Sequence, residues 1–247
     1  MQAAEAGGVS PDRHLLVAAR LGSAPRRSQD GGMIKARRVE AADSALSDPA
    51  GSEWRGGPEA RLSLEPTPLI SQPSVYVQAK WETIDYGAIG AVSVQALHND
   101  ATIFFRLQWD DATENDDIRD TDQFTDAAAV LFPVSEDAPL ASMGSPEQPV
   151  NAWYWRPDME TPFSVVSVGT GSTRRTVDPN LRGTSARLGD AWAVVIGRSL
   201  LSDGDGFVQL AAGDTGKVAF AVWQGSNSER AGLKAVTLEW QPLELEA

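Results

Sequence analysis

From residue 75 onward, apolar and polar residues alternate with a period of two, the repeat of strands whose successive side chains point to opposite faces. The segments SVYVQAKW, AVSVQALHND, TIFFRLQWDD, AAAVLFPV, FSVVSVGTG, AWAVVIGRSL, KVAFAVWQG and KAVTLEWQPLEL are rich in Val, Ile, Phe and Trp, and Gly, Pro, Asn or Asp bounds them. They predict about eight strands at sandwich-like spacing. ALHNDATIFFRLQW reads as a hairpin with Asn99 and Asp100 in its turn. No segment sustains an amphipathic helical repeat beyond a couple of turns. The pattern therefore predicts an all-β fold, an antiparallel β-sandwich with long loops and at most short helices. Its longest loops are expected over residues 110–126, which are acidic, and over 139–155, where PLASMGSPEQPVNAWYW is too broken by Pro and Gly to be helical.

Residues 1–32 are rich in Ala, Gly, Ser and Arg without a sustained period. They read as a disordered or misannotated leader, with Met33 as an alternative start, and leave residues 33–247 as a single domain. The best apolar run of this leader, residues 15–21, contains Arg20, so it makes no signal-peptide core. Nothing approaches the roughly 18 apolar residues of a membrane span.

Composition narrows the chemistry. A chain of 247 residues with 42% hydrophobic content can bury a sizeable core. Its 34 acidic against 21 basic residues give a formal net charge of -13. That excludes a nucleic-acid binder, which needs clustered Lys and Arg; the one dense basic run is IKARRVE. The absence of cysteine excludes disulfides, iron-sulfur ligation and thiolate nucleophiles. Histidine occurs twice, as His14 in the leader and His98, expected on a strand surface, so a histidine triad lacks its parts. GTGS and GSTRR lack the strand-turn-helix context and the lysine of a phosphate loop. The carboxylates of residues 110–126 suit a solvated loop better than a calcium site, because they miss the EF-hand spacing.

The ordered blocks FFRLQWDD, DQFTDAAAVLFP, MGSPEQPVNAWYW, WAVVIGRSL, VAFAVWQG and SERAGLKAVTLEW resemble the haem b-binding gamma subunits of type II dimethyl-sulfoxide-reductase-family molybdoenzymes. That group includes the gamma subunits of ethylbenzene dehydrogenase, dimethyl sulfide dehydrogenase, selenate reductase and chlorate reductase. The resemblance covers about residues 45–245. It implies a β-sandwich that holds one non-covalent haem b, between loops at one end, through a methionine and a lysine. The methionine matches Met143. The lysine matches Lys234 in ERAGLK, with Lys217 in DTGKVAFAVW as its rival. The resemblance further implies a non-catalytic electron-transfer subunit in a heterotrimer. Its partners would be a molybdopterin-containing alpha subunit, an iron-sulfur beta subunit and an external carrier such as a cytochrome c. The location would then be extracytoplasmic, by co-export with a signal-bearing partner, or else cytoplasmic.

These ligands make chemical sense. A thioether is soft and neutral and favours reduced iron. A lysine binds metal only as the free amine, and it gives up its proton on desolvation where an arginine would not. A second reading is a carbohydrate-binding sandwich with Trp153, Tyr154 and Trp155 as a stacking platform and calcium in the acidic loop, since one fold hosts many functions.

Overall fold

The computed structural model describes residues 32–118 and 120–247. The expectation for the leader, and His14 with it, lies outside the described residues. In chain order the elements are β1 (Ile34–Arg38), α1 (Asp43–Leu46), β2 (Ala60–Ser63), β3 (Glu65–Pro66), α2 (Val75–Trp81), β4 (Ala91–His98) and β5 (Thr102–Asp110). There follow β6 (Ala127–Pro133), β7 (Val150–Trp155), β8 (Phe163–Ser167), β9 (Arg174–Thr176), β10 (Arg182–Arg187), β11 (Ala191–Ser199), β12 (Thr215–Trp223), β13 (Ala235–Val236) and β14 (Gln241–Leu245).

The strands build two layers joined by one shared strand. The first layer runs β10-β11-β5-β4-β1-β14-β12 and the second β12-β6-β7-β8-β9, with β13 beside β12 and β3 beside β13. The first half of β12 pairs with β14, as in Lys217 opposite Pro242, and its second half pairs with β6, as in Ala221 opposite Ala129. A strand that changes partner midway turns the corner between layers without ending the hydrogen-bond ladder. The expected all-β sandwich is borne out, with one departure from antiparallel order. β1 lies parallel to both β4 and β14. That strand is the basic run IKARR, whose Ile34 and Ala36 are buried while Lys35 and Arg38 are exposed.

Between the layers lies an aromatic core. Phe105, Phe132, Trp153 and Phe220 meet there, Phe132 and Trp153 with ring centroids 4.5 Å apart, and Trp155 packs edge-on against Trp109 and Trp192. Burying each such Phe stabilises the fold by roughly 1.5–3 kcal/mol. Arg198 is buried against the same core. Its guanidinium sits 4.8 Å from the Trp153 ring centre and donates to the carbonyls of Ser199, Leu200 and Val208; burial lowers its pKa to about 10.

Three expectations require correction. The loop expected over residues 139–155 ends in strand β7, which takes up Val150–Trp155. SVYVQAKW is not a strand but the helix α2, started by Ser74, whose hydroxyl accepts from the Val77 N–H at 3.5 Å. Val77 and Trp81, four residues apart, share the inner side of that helix, whereas Val75 and Tyr76 are exposed; a strand would have split the pattern differently. His98 is fully buried rather than on the surface, because β1 lies along the end of β4 that carries it. Desolvation lowers its pKa. The predicted hairpin is present as β4 and β5, with Asp100 in the left-handed region at φ 67°.

Candidate cofactor site

The second layer is asymmetric from one face to the other. Along β6, β7 and β12 the residues facing the first layer are large, among them Phe132, Trp153, Trp155 and Phe220. Those facing outward are mostly small: Ala127 and Ala129 on β6, Ala152 on β7, Ala219 and Ala221 on β12. Period-two alternation thus separates bulk from alanine. The alanine face is itself buried, although it looks away from the central core. A flat floor of methyl groups beneath a roof leaves space above it.

That space is a cavity of about 650 Å³. Ala129, Leu131, Ala152 and Val165 form its floor, and Tyr154, Phe163 and Trp223 rise around it. Tyr154 packs edge-on to Trp223 at 5.1 Å and against Phe163 at 4.9 Å, and burial raises its phenol pKa to about 12. The roof is the segment from Ser71 through α2, closed by residues 230–234 and by loops around 141–143 and 170–173. The cavity therefore lies over a sheet face, with loops as its cover.

Both Met143 and Lys234 line it. Met143 comes from the β6–β7 connection, above the ends of β7 and β8. It has φ 58°, and its carbonyl accepts from Gly169 N at 3.1 Å while its N–H donates to Leu140 O at 2.9 Å. The next residue, Gly144, has φ +89°, and a Cβ there would stand 2.7 Å from Ser167 O. Two successive left-handed residues, the second with no room for a side chain, make the sharp turn that presents the thioether. Thr170 reinforces it by donating from Oγ1 to Ser142 O at 3.2 Å.

Lys234 comes from the β13 edge of the same sheet. Its carbonyl accepts from Thr67 N at 2.9 Å, and the Tyr86 hydroxyl donates to Thr67 O, so the strap over the cavity also fixes the lysine backbone. Gln72 donates to Gly232 O at 2.9 Å, an approach so close that a Cβ on Gly232 would meet the Gln72 Oε1 at 2.1 Å. The side chain is buried, with Nζ 5.4 Å from the centre of the Trp223 ring, and desolvation lowers its pKa to about 8. Lys217, the rival, is not among the residues lining this cavity. It stands at the start of β12 beside a separate crevice and donates to Glu136 O at 2.9 Å.

The stacking platform expected of Trp153, Tyr154 and Trp155 does not form. Alternation sends both tryptophans into the inter-layer core and only Tyr154 to the cavity. Nor does the acidic loop gather its carboxylates: among the described residues no group of three or more His, Asp or Glu could hold a metal ion. Two of its acids are structural. Asp126, fully buried, accepts from Asn115 N, Gly225 N and Trp192 Nε1, each at 2.9 Å; even so, burial raises its pKa. Asp111 accepts from Thr113 and from Gln224.

Sequence reasoning named the two candidate ligands, and Tyr154 only as part of a stacking platform, but missed the floor and the aromatic residues Phe163 and Trp223. Ala129 on β6 and Ala152 on β7, small residues on the outward face of strands that carry large ones inward, were the available signal.

An all-β sandwich with an apolar cavity on one outer sheet face, containing a thioether and a desolvated amine, is a protein built to enclose a small molecule or cofactor. The family model described as ethylbenzene dehydrogenase matches residues 52–188, and the chain belongs to that family. It is 35% identical to the chlorate reductase subunit gamma of Ideonella dechloratans, over 92% of this chain and 89% of that protein. It is 36% identical to a putative respiratory nitrate reductase heme subunit of Haloferax mediterranei, over 81% of this chain and 68% of the relative. Identity to the dimethylsulfide dehydrogenase subunit gamma of Rhodovulum sulfidophilum is 35%, over 78% and 73% respectively. The resemblance drawn from the motifs is borne out: two of these relatives are named as gamma subunits and the third as a heme subunit. A family 9 carbohydrate binding module from Caldicellulosiruptor kristjanssonii in complex with glucose superposes with a TM-score of 0.42 at 8% identity, over 87% of this chain and 96% of that one, too remote to bear on function.

Proposed function

We propose that the cavity holds one haem b, with Met143 and Lys234 as its axial ligands, and that the chain passes electrons between the iron-sulfur subunit of a molybdoenzyme complex and an external carrier such as a cytochrome c. The observation that carries this reading is the convergence of Met143 and Lys234, distant in sequence, on one apolar cavity that Lys217 does not line. The relative named as a heme subunit supports the cofactor, and those named as gamma subunits support the place in a complex with catalytic and iron-sulfur partners.

The residues present fit the group. A sheet floor of Ala129, Leu131, Ala152 and Val165 suits a planar macrocycle, aromatic walls suit its faces and edges, and about 650 Å³ lies within the usual range of cofactor pockets. Bound haem would supply a one-electron couple. The Met143 turn places a thioether among the residues that line the cavity. Burial lowers the Lys234 pKa to about 8, which makes it easier for a metal to displace the proton and free the lone pair. Among the described residues no helix is long and apolar enough to cross a membrane.

The test is reconstitution with haemin. The expected product is a low-spin haem whose Soret band shifts on reduction. Met143→Ala and Lys234→Ala should each lose the low-spin spectrum, and Lys217→Ala should keep it. A protein with no Soret band, or normal low-spin haem in both ligand variants, overturns the reading.

A further inference from the structure

The charge around the cavity runs against the charge of the chain. Acidic residues outnumber basic ones by 34 to 21 overall, yet among the described residues none that lines the cavity is Asp or Glu. Three cations line it: Lys80, Arg230 and the buried Lys234. A mouth that carries exposed cations and no carboxylate, on so acidic a protein, is electrostatically suited to an anion.

Lys80 and Arg230 are both exposed, and among the described residues neither forms an ion pair with a carboxylate. They rise from one stitched roof. Lys80 sits in the last turn of α2, and Gln78 of that helix donates to Gln72 O at 2.7 Å. Gln72 in turn donates to Gly232 O in the loop that begins with Arg230. Arg230 is held in place, its guanidinium 4.3 Å from the centre of the Phe124 ring and Nη1 donating to Ser228 O at 3.4 Å. A guanidinium fixed in this way loses little side-chain entropy when it takes up a carboxylate.

We propose that Lys80 and Arg230 bind the two propionate carboxylates of the macrocycle at the cavity mouth, and so fix which edge of it faces solvent. This assignment rests on the haem reading above. Lys234 is occupied inside the cavity, which leaves two rim cations for two carboxylates. Each contact is an exposed charge-assisted hydrogen bond, so its contribution is modest and screened by salt.

The test titrates the full chain with haemin and, separately, with haemin dimethyl ester, which has the same iron and ring but no propionate charge. Binding is followed by Soret absorbance and by quenching of tryptophan fluorescence. Wild type should bind haemin more tightly than the ester. Lys80→Gln and Arg230→Gln should each weaken haemin about two- to fivefold, leave the ester unchanged, and together abolish the preference, with thermal unfolding unaltered. Lys35→Gln, on β1 and paired with Glu244, should change neither. The assignment is overturned if the variants weaken haemin and ester equally or leave haemin untouched. If wild type binds neither compound, the haem reading fails first and this assignment falls with it.

Discussion

The Lys234 amine faces the Trp223 ring at 5.4 Å, and the same indole donates from Nε1 to the Ala231 carbonyl at 3.0 Å. One tryptophan thus pins the loop that leads to the lysine and gives its ammonium a π surface. That surface contributes roughly 0.5–2 kcal/mol, less than the several kcal/mol it costs to desolvate an unpaired cation. Desolvation wins, and the amine pKa falls to about 8.

The sign of the resulting pH dependence is fixed. Lys234 titrates at about 8 in the fold, against an ordinary lysine value of 10.5. Between those values the unfolded chain holds a proton that the folded chain has lost, so stability of the ligand-free protein rises with pH through this window. Below about 8 both states are protonated and the full cost of the buried ammonium is present, on the order of 3 kcal/mol. Lys234→Met should therefore stabilise the ligand-free protein near neutral pH, by an amount that fades toward pH 10. Urea unfolding of both proteins across that range checks it; parallel curves would place the amine in water.

Gly144→Ala should cost about 2–4 kcal/mol. The position has φ +89°, and the nearest atoms to a new Cβ are the backbone oxygens of Ser167 and Gln148 at 2.7 and 2.9 Å, which cannot swing aside. Chemical denaturation measures the loss. A change under about 0.5 kcal/mol would show that the turn presenting Met143 is looser than its contacts indicate.

Much of this architecture was legible because short apolar runs bounded by turn residues mark strands: β4, β5, β6, β8, β11 and β12 all show it, and most of them are buried on both faces. Of the elements the pattern did not reveal, two hid for clear physical reasons. In α2 the apolar residues cover the cavity instead of the main core, so an exposed Val75-Tyr76 pair mimicked strand alternation. In β1 a basic composition masked a strand that buries only Ile34 and Ala36. The candidate ligands were legible only through ordered motifs, because no local pattern links Met143 to Lys234. The small residues of the cavity floor, Ala129 and Ala152, stand in the sequence, but alanine is read as filler unless both faces of a sheet are known to be buried.

The acidic loop should behave as a structural hub and not as a calcium site. Asp126→Ala strands three buried donors, from Asn115, Gly225 and Trp192, and should cost about 3 kcal/mol. Asp122→Ala, at an exposed position, should fall within about 0.5 kcal/mol of wild type. Adding calcium should leave the melting temperature of wild type unchanged. A calcium-dependent rise that Asp122→Ala removes would restore the cation reading.

Neighbouring alanines on β6 provide the most direct test of the cavity, because they point to opposite faces. Ala128 belongs to the packed core between the layers, and Ala129 lines the cavity floor. Ala128→Leu has no space to fill and should destabilise the protein by about 1–3 kcal/mol. Ala129→Leu adds three carbons where the ligand-free protein has room, so stability should hold or rise by up to about 2 kcal/mol. Uptake of haemin should respond in the reverse order, weakened more than about tenfold by Ala129→Leu, since loss of 1.4 kcal/mol of binding already gives that factor, and preserved in Ala128→Leu as long as the protein is folded. Paired unfolding and haemin titrations read both quantities. Unimpaired uptake by Ala129→Leu would move the cofactor off this floor, whereas destabilisation by that variant would mean that the roof closes tightly onto the sheet when the cavity is empty.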